Sequence, residues 1–185
     1  MERKRFYVGL LFACGALLCG LVALYSSLRA ASRVRGLTPV AAVVLEDTRV
    51  GAEVLVEARI SSRNPVRFHD FVAYTREGRR VKEDGDTGSW SVRERVTPPL
   101  ILELSGGLVQ IDNDDYELQD AHVVEEERGF GESSTTRYQG LAVGDPVVAV
   151  GVLTSRAELP QIEADFIARG TRERYIARRR SGGVI

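Results

Sequence analysis

Glu53-Val54-Leu55-Val56-Glu57-Ala58-Arg59-Ile60 alternates in character along its whole length. Val54, Val56, Ala58 and Ile60 fall on one face, and Glu53, Leu55, Glu57 and Arg59 on the other, because successive side chains of a strand point to opposite sides. Period two sustained this long predicts a half-buried β-strand rather than a helix.

Working outward, the same signal recurs. Upstream, Val40 to Leu45 is a short apolar run and an expected strand. Downstream, Phe68 to Thr75 is rich in aromatic and β-branched residues and ends at the turn signal Arg76-Glu77-Gly78. Trp90 to Val96 alternates again. Leu100 to Leu104 and Leu108 to Ile111 flank Ser105-Gly106-Gly107, a hairpin turn in which glycine supplies the positive φ. Pro146 to Leu153 is entered through Val143-Gly144-Asp145, and Gln161 to Ala168 is the last expected strand. About seven short strands with no long amphipathic helix predict a small all-β barrel or sandwich in one domain.

The composition narrows the class. The chain has 185 residues, 26 acidic and 25 basic side chains, and 44% hydrophobic residues. A disordered chain would be less apolar and more charged. A generic nucleic-acid binder would be basic, so no nucleic-acid partner is expected. The two cysteines, Cys14 and Cys19, lie in the most apolar stretch, which excludes a disulfide-rich scaffold.

That stretch sets the organisation. Residues 1–5 form a basic N-terminal tail carrying Arg3, Lys4 and Arg5, and Phe6 to Tyr25 carries no charge. As a helix it is about 30 Å long, the thickness of a hydrocarbon core. Residues 6–27 are therefore an expected transmembrane helix, 28–38 a linker, 39–168 the β domain and 169–185 an arginine-rich C-terminal tail. The positive flanks nearly balance, and the amino terminus tips the count toward a single-pass protein with its soluble domain outside the cytoplasm. The spacing Ala16-Leu17-Leu18-Cys19-Gly20 also allows self-association through this helix.

Net charge near zero conceals opposed blocks. Asp112 to Gly131, with its Gly129-Phe130-Gly131, interrupts the strand pattern and is acidic as far as Glu127, whereas Arg169, Arg172, Arg174 and Arg178 to Arg180 face only Glu173.

The order of several segments resembles the GIDE-type, beside-a-membrane domain of membrane-anchored ubiquitin ligases of mitochondria and chloroplasts and of their prokaryotic relatives. The residues that carry it are Val54 to Ile60, then Phe71-Val72-Ala73-Tyr74, the lone Trp90, and Pro99 to Leu104 followed by Gly106-Gly107-Leu108-Val109. Arg137 to Leu141 and Val143 to Gly151 complete it. The resemblance spans residues 40–168 and implies an OB-like β-barrel held at a membrane. The ligases also carry a zinc-binding RING, which needs cysteine and histidine clusters. No cysteine follows Cys19 and no second apolar span occurs, so ligase activity is not implied.

The remaining chemistry is sparse. His69-Asp70 at a strand start is the one candidate acid–base pair, and no Gly-x-Ser-x-Gly elbow accompanies it. Asp112, Asp114 and Asp115 have the oxygen-rich character of a calcium loop, but Glu117 and Val123 occupy the positions where an EF-hand needs glycine and a bidentate glutamate. No metal or cofactor is therefore expected. The expected function is a membrane-anchored, non-catalytic module that binds an unknown protein or peptide. Its candidate binding residues are Phe68, Tyr74, Trp90 and Tyr138, on a face of the barrel. The competing expectation is a hydrolase or metal-dependent enzyme using His69, Asp70 and the acidic stretch 112–127.

Overall fold

The alternation at residues 53–60 becomes β1, Glu53–Ile60, with Val54, Val56 and Ile60 buried in the main core. Its other face is only partly exposed: Leu55 is fully buried, because Pro39 bridges to it and the Val40 N–H donates to its carbonyl at 2.9 Å. A computed structural model describes residues 32–80, 89–127 and 134–181. The basic tail 1–5 and the apolar segment 6–27 lie outside the described residues, as does the Gly129-Phe130-Gly131 stretch. Among the described residues no helix is long and apolar enough to cross a membrane.

The protein is mainly β. The strands after β1 are β2 (Phe71–Arg80), β3 (Ser91–Val96), β4 (Leu100–Leu104), β5 (Gly107–Ile111) and β6 (Glu117–Gln119). There follow β7 (His122–Glu127), β8 (Ser134–Ala142), β9 (Pro146–Ser155) and β10 (Gln161–Arg169). Besides the helical residues 32–36, the described helices are α1 (Ala42–Asp47) and α2 (Arg172–Arg180). By their contacts the residues divide into two units, one Thr38–Arg172 and the other Met1–Leu37 with Glu173–Ile185.

In the first unit, five strands close into a barrel in the order β5-β4-β1-β9-β10, and β10 returns to β5. All neighbours are antiparallel except the closing pair, where Gln161 and Ile162 run parallel to Gln110 and Ile111. Closure leaves no open edge within these five strands and gathers their apolar faces into one interior. Leu102, Val109, Ile111, Leu153, Ile162 and Ile167 are fully buried there. At roughly 1.5–3 kcal/mol per buried aliphatic side chain, this interior is the main stabilising term. Short β6 lies alongside β10 in parallel.

Two glycines permit the close approaches the barrel needs. Gly151 of β9 faces the Glu163 carbonyl and Ala164 so closely that a Cβ would overlap them, next to a register shift in β10. Gly106 turns the β4–β5 hairpin with φ +88°, as expected from Ser105-Gly106-Gly107.

The second sheet has the order β3-β2-β8-β7, with every neighbouring pair antiparallel. Its strands come from two insertions into the barrel order. β2 and β3 lie between β1 and β4, and β7 and β8 lie between β6 and β9. The start of β2 belongs to the barrel interior, since Val72 and Ala73 pack in the main core with Leu141 of β8.

Three expectations are corrected here. Val40 to Leu45 is not a strand: residues 42–47 form α1, which buries Ala42 and Leu45 and leaves Val43 and Val44 exposed. The acidic stretch 112–127 is not an interruption, because it contains β6 and β7. The strand expected from Phe68 begins at Phe71, after a turn.

In the second unit, residues 32–36 are helical and Val34 is buried. Within the arginine-rich segment, Arg169 ends β10 and Arg172–Arg180 is α2. Glu173 in its first turn and Arg178, Arg179 and Arg180 in its last complement the helix dipole. Tyr175 is buried, and the Arg179 guanidinium lies 5.2 Å over its ring one turn on.

Candidate functional site

Arg67-Phe68-His69-Asp70-Phe71 reverses the chain into β2. The Phe71 N–H donates to the Phe68 carbonyl at 2.8 Å, and the Arg67 N–H donates to the Phe71 carbonyl at 2.7 Å. Both central residues have positive φ, +48° at His69 and +64° at Asp70, the signature of a type I′ turn. Glycine usually fills such positions. Asp and His tolerate them better than other side chains, yet two in succession store strain that the surroundings must hold.

The surroundings are aromatic and charged. The His69 ring meets Phe68 edge-on at 4.2 Å and Tyr138 at 5.0 Å. Its Nε2 lies 2.6 Å from the Glu126 carboxylate on β7. Phe68 packs on Tyr138 at 4.9 Å and on Tyr74 at 5.9 Å, and the two tyrosines meet at 6.0 Å. Tyr74 and Tyr138 are buried, whereas Phe68 is 41% exposed. The result is a buried tyrosine floor carrying a half-exposed phenylalanine and a histidine–glutamate pair. Arg76 and Glu94, 3.2 Å apart, border it. Burial, and then the Glu94 charge, push the Tyr74 phenol above its ordinary value.

Gly140 completes the floor. It stands across from Tyr74, and a Cβ there would overlap the Phe71 ring. Phe71 in turn stacks on His122 at 6.3 Å. The His122 Nε2 lies 2.9 Å from Asp145 Oδ1, and Asp145 Oδ2 accepts the Ala142 N–H at 2.7 Å. Each histidine of the chain is thus set against a carboxylate, one at the tip of the turn and one at the start of β7.

Of the four candidate binding residues, Phe68, Tyr74 and Tyr138 come together, and Trp90 does not join them. Tyr138 pairs across from Arg76, and its neighbour Arg137 pairs across from Glu77. Adjacent residues of a strand face opposite ways. Trp90 lies under Arg137 at 4.3 Å and Arg79 at 4.8 Å, on the reverse face. There Glu77 accepts from Arg137 Nε at 2.5 Å and from Gln139 at 2.8 Å. None of the four lies on a barrel strand; all belong to the second sheet and its entry segments.

The acid–base candidate is also rearranged. Asp70 adjoins His69 in the chain, but the carboxylate at the imidazole is Glu126, a member of the acidic stretch. Sequence reasoning took Glu126 only as part of the acidic stretch and missed Asp145 and the Arg79–Trp90–Arg137 group. Only strand register brings them together, and no local pattern encodes it.

Asp112, Asp114 and Asp115 lie elsewhere, in the segment after β5. Asp112 Oδ2 accepts the Thr154 hydroxyl at 2.9 Å, and Asp115 accepts the Asn113 amide at 2.6 Å. The Asp114 carbonyl accepts the Thr97 hydroxyl. Among the described residues no three His, Cys, Asp or Glu side chains gather as a metal site.

No family model, curated protein or solved structure matches the chain.

Proposed function

We propose that this protein is a membrane-anchored binding module of the beside-a-membrane type, with an OB-type barrel carrying a second sheet that recognises a protein or peptide partner. One observation carries the reading: two consecutive non-glycine residues with positive φ hold His69 and a half-exposed Phe68 over a tyrosine floor. Strain of this kind concentrates where a surface has to be presented in one shape. An aromatic anchor with a polar rim is the composition of an interface hot spot.

Three further observations support the rest of the proposal. The barrel has five strands, the number in an OB fold. The β4–β5 hairpin and β9 are formed by two of the segments that resemble the beside-a-membrane domain. The uncharged stretch Phe6 to Tyr25 has the length of a membrane span and supplies the anchor. The domain then lies outside the cytoplasm by the balance of flanking charge. Protease added to intact cells tests that placement, since protection of the domain rules it out.

The binding face is tested with a photo-reactive amino acid at Val66, which is exposed just ahead of Phe68. Irradiation of native membranes should trap a discrete partner, and Phe68→Ala should abolish the product while leaving the protein folded. A product that survives Phe68→Ala, or no product other than the chain itself, defeats the proposal.

A further inference from the structure

Among the described residues the second sheet is open on both sides. In the order β3-β2-β8-β7, the outer strands β3 and β7 each have one neighbour among the described residues. Three antiparallel steps separate them, so β3 and β7 run in opposite directions. Another copy of the sheet laid alongside would therefore place its β3 antiparallel to β7 of the first, with the extra residue of β3 at Arg93.

The side chains of the two edges differ in sign. β3 carries exposed Arg93 and Arg95, while its Glu94 is already paired with Arg76. β7 carries exposed Glu125, while its Glu126 is already paired with His69. Charges on an edge strand usually guard it against pairing. Guards of one sign repel every neighbouring edge. Here like edges repel and unlike edges attract, so the guard becomes a selector.

The apolar residues agree with this. Val92 and Val123 are 54% and 55% exposed. Val92 stands across from Glu77 and Val123 across from Gln139, which itself stands across from Thr75. Thr75 and Glu77 lie two apart on β2, so both valines are on one face of the sheet.

We propose that β3 of one copy of this chain pairs antiparallel with β7 of a second copy. Backbone hydrogen bonds along the two edges join the copies, Arg95 faces Glu125 on the face that carries Val92 and Val123, and the two valines become covered. The contact is head-to-tail, so it leaves one free edge at each end and adds further copies in a row. It does not depend on the partner-binding role proposed for Phe68 and His69.

Cross-linking of the full chain in detergent micelles tests it. Cys14→Ser and Cys19→Ser remove the native thiols, and Val92→Cys and Val123→Cys are placed in separate chains. A short bismaleimide should join the two variants when they are mixed and leave each alone uncoupled. A chain carrying both substitutions should give a ladder. Because the thiols sit on the edges, association through the apolar stretch 6–25 does not produce these patterns. Arg95→Glu should lower the coupling at least fivefold, as should Glu125→Arg, and both changes in one chain should restore it. No product in the mixture, equal coupling within a single variant, or failure of the combined charge swap to restore coupling overturns the proposal. Val92, Arg95, Val123 and Glu125 are exposed, so unchanged circular dichroism is the control for folding.

Discussion

The Asn64 side chain serves Ile101 as an additional strand residue would. Its Nδ2 donates to the Ile101 carbonyl at 2.7 Å, and its Oδ1 accepts the Ile101 N–H at 2.8 Å. Backbone pairing of β1 with this part of β4 ends where Ser61 N–H meets the Ile101 carbonyl, and the amide carries the ladder past the end of β1. Asn113 treats Ala164 of β10 in the same way, at 2.8 Å in both directions. Two asparagines thus carry hydrogen bonding on where backbone pairing in the barrel stops, and an orphaned group there would be costly.

Asn64→Ala should therefore cost about 2–4 kcal/mol, the loss of its hydrogen bonds with Ile101 and with the Ser61 carbonyl and the stranding of the Ile101 N–H. Asn64→Asp keeps an acceptor for the Ile101 N–H but brings no donor to the carbonyls and should also destabilise. Urea midpoints with an unchanged slope would give the sizes. A shift under about 0.5 kcal/mol for Asn64→Ala would show that water replaces the amide.

Gly151 and Gly140 make a second, steric prediction. A Cβ at Gly151 meets backbone, which cannot swing aside, whereas at Gly140 it meets the ring of Phe71. Gly151→Ala should cost about 2–3 kcal/mol and open the β9–β10 pair, and Gly140→Ala should cost less where the Phe71 ring can turn. Amide hydrogen exchange in β10 distinguishes local opening from global loss. Faster exchange should appear in Ala164 and its neighbours.

How much of this was legible from the chain follows from the physics of each element. The period of β1 was, because one face is buried along eight residues. The β4–β5 hairpin was, because Gly106 marks its turn. α1 was not: six residues make under two turns, too few for a helical period, and its exposed Val43 and Val44 imitate a strand. β7 was hidden because an edge strand exposed to water carries glutamates, residues with low strand preference. The aromatic members of the candidate site were legible as residue types. Their division between two faces was not, because it depends on the pairing of Arg76 with Tyr138 and Glu77 with Arg137.

Tyr116 links the barrel to alkaline pH. It is fully buried, its hydroxyl donates to the Pro98 carbonyl at 2.7 Å, and burial raises its phenol well above the ordinary value, with the Asp114 charge adding to the shift. Tyr74 is raised in the same direction. A raised native value means the unfolded chain loses its proton first. Stability is then complete below about pH 10, the unfolded value, and falls as pH rises beyond it. Thermal midpoints between pH 8 and 11 should drop at the upper end. Tyr116→Phe should flatten that drop while costing about 1 kcal/mol at neutral pH for the lost hydrogen bond. An undiminished alkaline drop in this variant would assign it to other groups.

The turn at His69 and Asp70 gives a prediction that separates strain from contact. At φ +64° an alanine is strained and a glycine is not. Asp70→Ala should therefore be less stable than Asp70→Gly by about 1 kcal/mol, the cost of a Cβ in the left-handed region. This order is the reverse of that found in ordinary strands and helices, where glycine is the weaker residue. Asp70→Gly leaves Phe68 and His69 presented in the same shape, so it should retain partner capture at Val66, while Phe68→Ala should lose capture with little change in stability. If Asp70→Ala matched Asp70→Gly in its urea midpoint, the turn would be relaxed in solution, and the argument from strain to a presented surface would fail.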